Sequence, residues 1–223
     1  MNIIELEASQ KKRAAEVATE AFFYYPMMNH YFPDLKRRKR WLPWYLEKTL
    51  TCAMHFGKVF TTSDCSGVMF ILPPEHTRLT DIEYIQNGFL FVPFIMGFRN
   101  YMKSSKCEKF VADTHEQLLK GQKHYYLWGL VVDPKAQGEG VGGTLLKKLT
   151  DTADAEELPV YLETHEQKNV AYKRVAPQHP VYLETHEQKN VAYYERFGFK
   201  LIHTGKIHNQ GIEIWCMLRE VKN

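Results

Sequence analysis

The sequence predicts an α/β (α+β) fold, and three observations carry that reading. An apolar run, Tyr125–Val132, leads into a glycine-rich turn and then a helical pattern that starts at Val141. Two shorter apolar runs, Val59–Thr62 and Val68–Leu72, flank Asp64-Cys65-Ser66-Gly67 and read as a β-hairpin. Between and before these strands, apolar residues recur at helical spacing.

Taken in order, Asn2–Glu7 reads as a short first strand. Ser9 is expected to cap a helix whose inner face holds Ala14, Val17, Ala18, Ala21 and Phe22. Tyr24-Tyr25-Pro26 breaks it. A second helix is expected from Trp41 to about Phe56, after the basic run Lys36-Arg37-Arg38-Lys39-Arg40, which reads as a solvated helix end. The hairpin follows and Pro73-Pro74 ends it. Residues 75–123 form a helical insertion, rich in aromatics; they pack on the sheet, or form a lid or substrate wall in which Tyr84, Phe91 and Phe94 could take part. Tyr125–Val132 is apolar without alternation, as expected of a central strand buried on both faces. Val141, Leu145, Leu149 and Ala153 form the core stripe of the next helix.

At 223 residues the length favours a single domain, 1–223. A composition 44% hydrophobic and 25% charged argues against disorder. The net charge of +3 demands neither a nucleic acid nor a membrane partner. The most apolar window, Phe89–Phe98, is shorter than the roughly 20 residues a bilayer requires. No apolar leader opens the chain, and Cys52, Cys65, Cys107 and Cys216 lack metal spacing. A cytoplasmic protein with reduced thiols and no metal site is expected.

The chemistry concentrates in Val132-Asp133-Pro134-Lys135-Ala136-Gln137-Gly138-Glu139-Gly140-Val141-Gly142. A strand, a glycine-rich turn and a helix N-terminus together crowd backbone N–H groups around a diphosphate. A Walker A loop is excluded, because Thr144 stands where its lysine belongs. A dinucleotide fingerprint is present at Gly138, Gly140 and Gly143, with Glu163 at the expected distance of about 20 residues. Its first glycine should follow the strand directly, yet Asp133–Gln137 intervene.

A third pattern fits these residues better. Gln137-x-x-Gly140-x-Gly142 resembles the acetyl-CoA loop of the GNAT N-acetyltransferase superfamily. Downstream, Asn190-x-x-x-Tyr194-x-x-x-Gly198-Phe199 resembles that superfamily's second cofactor unit, with Gly198 as the stop of the helix carrying Tyr194. Ala21-Phe22-Phe23, Phe32-Pro33-Asp34, Tyr125-Tyr126-Leu127 and Leu183-Glu184-Thr185 are similar to the puromycin N-acetyltransferase-like group. The resemblance implies a central mixed, mostly antiparallel sheet with helices on both faces, splayed at the acetyl-CoA strand pair. It implies acetyl transfer from acetyl-CoA to an amine of a small molecule or peptide by direct attack, in a monomer or homodimer. It also implies that Leu130, Val131 and Val132 offer backbone bonds to the pantetheine arm, and that Gln137, Gly138, Glu139, Gly140, Val141, Gly142 and Gly143 hold the pyrophosphate. By the same resemblance Asn190 contacts CoA and Tyr194 is the general acid. For the base, Glu184 is the first candidate and Glu163 the alternative; His115 and His124 are further options. A CoA-binding module without turnover and a dinucleotide-binding oxidoreductase remain as other readings.

One feature lies outside that pattern. Pro159–Tyr172 and Pro180–Tyr193 are identical, 21 residues apart. Natural structural repeats diverge and come in larger numbers, so residues 159–179 read as a duplicated segment. Only the second copy continues into Tyr194–Phe199 and so supplies the helix. The second copy is also expected to supply the strand before it, because that keeps the extra residues away from the carboxyl ends of the strands, where ligands of α/β proteins bind.

Overall fold

The computed structural model describes residues 1–167, 189–207 and 212–221. Seven strands form one sheet in the order β1-β2-β3-β4-β5-β7-β6. They are β1 (Ile3–Glu5), β2 (Lys58–Thr62), β3 (Gly67–Leu72), β4 (Tyr125–Val132), β5 (Val160–Gln167), β6 (Lys200–Ile207) and β7 (Ile212–Arg219). Every pairing is antiparallel except β4 with β5. The mixed, mostly antiparallel sheet of the sequence reading is therefore present.

Helices cover both faces. On one side lie α1 (Lys11–Phe22), α2 (Pro26–Tyr31), α3 (Leu35–Phe56) and α6 (Phe98–Leu119). Their apolar stripes meet Val59, Phe70, Val131, Tyr161, Ile214 and Cys216. On the other side α7 (Val141–Ala155) and α8 (Lys189–Glu195) close over Met69, Leu127, Leu162 and Met217. Val141, Leu145, Leu149 and Ala153 are all buried, as their spacing requires.

The helix starts differ from the sequence reading. Ser9 does not cap α1; it lies in a short 3₁₀ turn, Ala8–Gln10, and its hydroxyl donates to Glu7 at 3.4 Å. Helix α3 begins at Leu35, not Trp41, because Asp34 caps it: the Asp34 carboxylate accepts from the Arg37 amide at 2.7 Å. The basic run therefore forms the first turns of α3, and Arg38 turns inward to donate to the Phe32 and Phe23 carbonyls.

The insertion is helical, with α4 (Asp81–Gln86), α5 (Val92–Met96) and then α6. Cys107, Val111, His115 and Leu119 recur every fourth residue of α6 and bury its inner face. Of the three aromatic wall residues considered, only Tyr84 packs inward, 5.2 Å ring to ring from Phe89. Phe91 and Phe94 are exposed. Among the described residues no helix is long and apolar enough to cross a membrane.

The strand slot beside β4 is filled by the first copy of the repeat, which corrects the expectation for the second. Leu162 pairs with Leu127 on one side and Met217 on the other, and it is buried. Copy one follows α7 after the short turn Glu156–Pro159, where the Leu158 amide donates back to the Ala153 carbonyl at 2.9 Å. A short closed turn costs less entropy than a long one, which favours copy one in the slot. Most of copy two, including Leu183, Glu184 and Thr185, lies outside the described residues.

Candidate active site

The site begins where two strands part. β4 and β5 pair in parallel over only three positions, Tyr125↔Val160, Tyr126↔Tyr161 and Leu127↔Leu162. Beyond Leu127, β4 stays with β3 as far as Val132↔Gly67, while β5 stays with β7 as far as Gln167↔Ile212. A bulge helps to turn β4 away: Phe70 pairs with Gly129 and Ile71 with Leu127, leaving Trp128 unpaired. Gly129 is required there, since a Cβ would lie 2.1 Å from the Phe70 ring. The result is a wedge open toward the carboxyl ends of both strands. Leu130, Val131 and Val132 line its β4 edge with backbone that has no ladder partner on the β5 side. This divergence also explains why β4 is only half-buried at most positions, rather than enclosed on both faces as its apolar run suggested.

At the mouth of the wedge the chain turns through Asp133–Gly140 into α7. Asp133 is buried, accepts from the Lys135 amide at 3.0 Å and from Arg13 at 2.9 Å, and so fixes the start of the loop. Gln137, Gly138, Glu139 and Gly140 are exposed. Gly138 and Gly140 have φ of 90° and 83°, and nothing lies within 4 Å of where a Cβ would be. Their glycine identity therefore serves the backbone shape of the exposed turn that leads into the N-terminus of α7.

Gly142 and Gly143 are glycines for a different reason. A Cβ on Gly142 would lie 2.8 Å from the Tyr193 hydroxyl, and one on Gly143 would lie 3.2 Å from the Phe197 ring. They let α8 and its following turn close on α7. Val141 points its side chain into the core. The Tyr193 hydroxyl is buried without a hydrogen-bond partner among the described residues, and it and Val132 both lie against Gly142.

Helix α8 ends as its sequence predicts. Gly198 has φ of 87°, and the Phe199 amide reaches back to the Tyr194 carbonyl at 3.3 Å. Asn190 donates to the Thr164 hydroxyl at 3.1 Å, which ties α8 to β5. Tyr194 is half-buried among Tyr193, Phe199 and Tyr25. Burial, then the neighbouring Tyr25 and Tyr193, push its phenol well above the ordinary tyrosine range, so it keeps its proton at neutral pH. Tyr25 comes from the turn before α2; its hydroxyl accepts from the His165 amide at 3.0 Å.

On the opposite face, Glu163 is the first β5 residue beyond the paired segment. Its side chain is 3% exposed and Oε1 has no hydrogen-bond partner among the described residues. Desolvation raises its carboxyl to about 8, although the Tyr126 and Tyr161 hydroxyls beside it pull the other way. Glu108 of α6 shares the recess: it is solvent-accessible, yet the surrounding protein raises its carboxyl to about 7. His115 lies between α6 and the sheet, stacked on Tyr161 at 4.3 Å, with Nδ1 3.9 Å from Glu163 Oε1. A separate depression on β6 and β7, lined by Thr204, Gly205, Lys206, Glu213 and Trp215, contains none of these residues.

The structure thus brings Leu130–Val132, Gln137–Gly143, Asn190 and Tyr194 around one wedge, and puts Glu163 at its apex. Glu184 lies outside the described residues. Tyr25, Tyr193 and Glu108 carried no sequence signal as site residues. They reach the wedge from a turn, from the inner face of α8 and from the insertion, contacts that only the assembled sheet creates.

Residues 109–199 match the Acetyltransferase (GNAT) family. Among curated proteins, none matches the sequence. The fold is shared with solved acetyltransferases. One is a histone acetyltransferase HPA2 and related acetyltransferase from Corynebacterium glutamicum ATCC 13032, at 14% identity and TM-score 0.61, covering 100% of this chain and 97% of that one. The ribosomal-protein-S18-alanine N-acetyltransferase of Escherichia coli is similar at 13% identity and TM-score 0.52, covering 100% and 94%. An aminoglycoside 6′-N-acetyltransferase complexed with coenzyme A is similar at 12% identity and TM-score 0.53, covering 100% and 98%. At these identities the likeness is one of fold.

Proposed function

We propose that this chain is a member of the GNAT superfamily and moves an acetyl group from acetyl-CoA to an amine of a small molecule or peptide by direct attack. The observation that carries the proposal is the wedge: a splayed parallel strand pair with a glycine loop at its mouth and a buried carboxyl group, Glu163, at its apex. The residues fit such a co-substrate. The exposed loop at the N-terminus of α7 suits a diphosphate, and the unladdered edge of β4 suits an amide-bearing arm. Acetyl-CoA supplies the activated acyl thioester.

The chain's own residues then have three tasks. Glu163 takes the proton from the attacking amine; it replaces Glu184 as our candidate base, because its copy of the repeat occupies β5. The backbone N–H groups of Leu130 and Val132, which alternate away from β3, donate to the developing oxyanion. Tyr194, held protonated, gives its proton to the departing thiolate. A place near the puromycin N-acetyltransferase-like group and a cytoplasmic setting belong to the same proposal.

One experiment tests it. The purified chain is titrated calorimetrically with acetyl-CoA and with NADH, and thiol release is followed with a panel of primary amines. We expect saturable acetyl-CoA binding, no NADH heat, and amine-dependent thiol release. NADH binding without CoA binding would overturn the cofactor assignment. CoA binding without turnover on any amine would favour a binding module.

A further inference from the structure

Glu163 does not stand alone in its recess. His115 Nε2 lies 2.7 Å from His124 Nε2, and His124 Nδ1 lies 2.6 Å from the Gln122 carbonyl oxygen. The carbonyl can only accept, so His124 carries its proton on Nδ1. Its Nε2 is then an acceptor, and His115 must donate from Nε2. His115 Nδ1 is left as a bare lone pair facing Glu163 Oε1. Both histidines are buried and held neutral: desolvation lowers His115 to about 3, helped by His124 and Arg78, and desolvation likewise lowers His124. A protonated Glu163 and two neutral, oriented imidazoles therefore form one line, which ends at the exposed loop of Gly121, Gln122 and Lys123.

We propose that His115 and His124 relay protons between Glu163 and solvent at the Gln122 carbonyl. The relay deepens the acetyltransferase proposal and rests on Glu163 as its base. Each transfer balances. The Glu163 proton passes to His115 Nδ1, the His115 Nε2 proton passes to His124 Nε2, and the His124 Nδ1 proton leaves to water at Gln122. The carboxylate is freed to accept from an amine, and neither imidazole carries a charge before or after. Both histidines exchange the nitrogen that bears hydrogen, and the 2.6 Å contact of His124 Nδ1 with the Gln122 carbonyl must open to a water that donates to Nδ1, since two acceptors would otherwise face each other. The 3.9 Å between Glu163 and His115 must close by about an ångström for the first step; catalytic hydrogen bonds often tighten only when the site is filled. The other groups that face the pair are Tyr126 at 4.8 Å from the His115 ring, Tyr161 and the Arg78–Glu116 ion pair, while Glu108 acts on Tyr126 and Glu163.

A relay and a structural pair differ in one observable. A histidine pair that only fills space keeps its tautomers as pH changes, whereas a relay reverses both when Glu163 ionises. The full chain, ¹⁵N-labelled at histidine and without ligand, is followed by long-range ¹H–¹⁵N correlation from pH 6.5 to 9.5, with assignments from His115→Asn and His124→Asn. We expect His115 to move from Nε2–H to Nδ1–H and His124 from Nδ1–H to Nε2–H, together, and Glu163→Gln to hold the starting tautomers throughout. Unchanged tautomers in the natural chain would overturn the relay, and so would reversal that persists in Glu163→Gln. On an amine acetylated by the natural chain, His124→Phe should lower kcat about tenfold or more, with the KM for acetyl-CoA retained. Unaltered kcat would also overturn it. The tautomer measurement needs neither acetyl-CoA nor an acceptor, so it succeeds or fails independently of the acetyltransferase proposal.

Discussion

Leu162→Ala tests which copy of the repeat builds the sheet, and the structure sets the size of the effect. Leu162 is 1% exposed and lies in the core under α7, between Leu127 on β4 and Met217 on β7. Truncation loses the transfer energy of its methyl-bearing carbons and leaves a void that the flanking strands cannot collapse. Leucine-to-alanine changes at such sites cost about 2–5 kcal/mol. For a domain of this size each kcal/mol shifts the melting temperature by roughly 2–4 °C, so a fall of about 4–20 °C is expected. If copy one alone fills β5, the same truncation in the other copy, Leu183→Ala, should shift the transition by less than about 2 °C. Both variants are compared by thermal and urea unfolding of the full chain. A larger loss for Leu183→Ala would refute the assignment of β5 to copy one. Equal intermediate losses would refute a single occupant, and would show both copies entering the slot.

Three further outcomes follow from the site. Glu163 is protonated more tightly folded than unfolded, with its carboxyl raised from 4.5 to about 8, so its burial costs stability progressively as pH rises from about 4.5 to 8 and no further above that. Glu163→Gln should therefore gain nothing at pH 4 and increasingly stabilise the fold up to pH 8; a gain independent of pH in unfolding titrations would contradict the shift. Gly142→Ala should weaken acetyl-CoA binding at least tenfold, about 1.4 kcal/mol, by pushing on Tyr193. Part of that loss should return in the double variant with Tyr193→Phe, whose ring carbon lies 3.7 Å away in place of a hydroxyl at 2.8 Å; calorimetry showing no rescue would mean the loss is not steric. Tyr194→Phe should lower kcat about 10²-fold or more with little change in acetyl-CoA affinity, and unchanged turnover would demote Tyr194 to packing.

The elements legible in the sequence were those whose signal is local. The strand, glycine turn and helix at 125–155 carry their own periodicity and their own special backbone positions, and each lies where the pattern placed it. Gly198 as a helix stop is the same kind of signal. The start of α3 was misread because a basic run looks like a solvated end, while one carboxylate, Asp34, sets the true cap. Choosing between two identical strands was beyond any local rule, since composition and propensity are the same in both. Tyr25 and Glu108 became visible only through tertiary contacts. His115 was legible only as one of several histidines, until Cys107, Val111 and Leu119 showed that it lies on the buried stripe of α6.

The short parallel pairing of β4 with β5 has a consequence beyond chemistry. A sheet that stops pairing after three positions leaves main-chain donors along Leu130–Val132 that the folded chain does not itself satisfy through β5. Whatever completes that edge binds the folded form and not the unfolded one, so it stabilises the fold by mass action, by about 2.7 kcal/mol at a hundredfold excess over its dissociation constant. Differences of 1–2 kcal/mol can change how much of a protein survives cellular proteolysis several-fold. If the proposed acetyl-CoA is what completes the edge, the lifetime of this protein follows its supply: a shortage lowers the number of molecules as well as the rate of each.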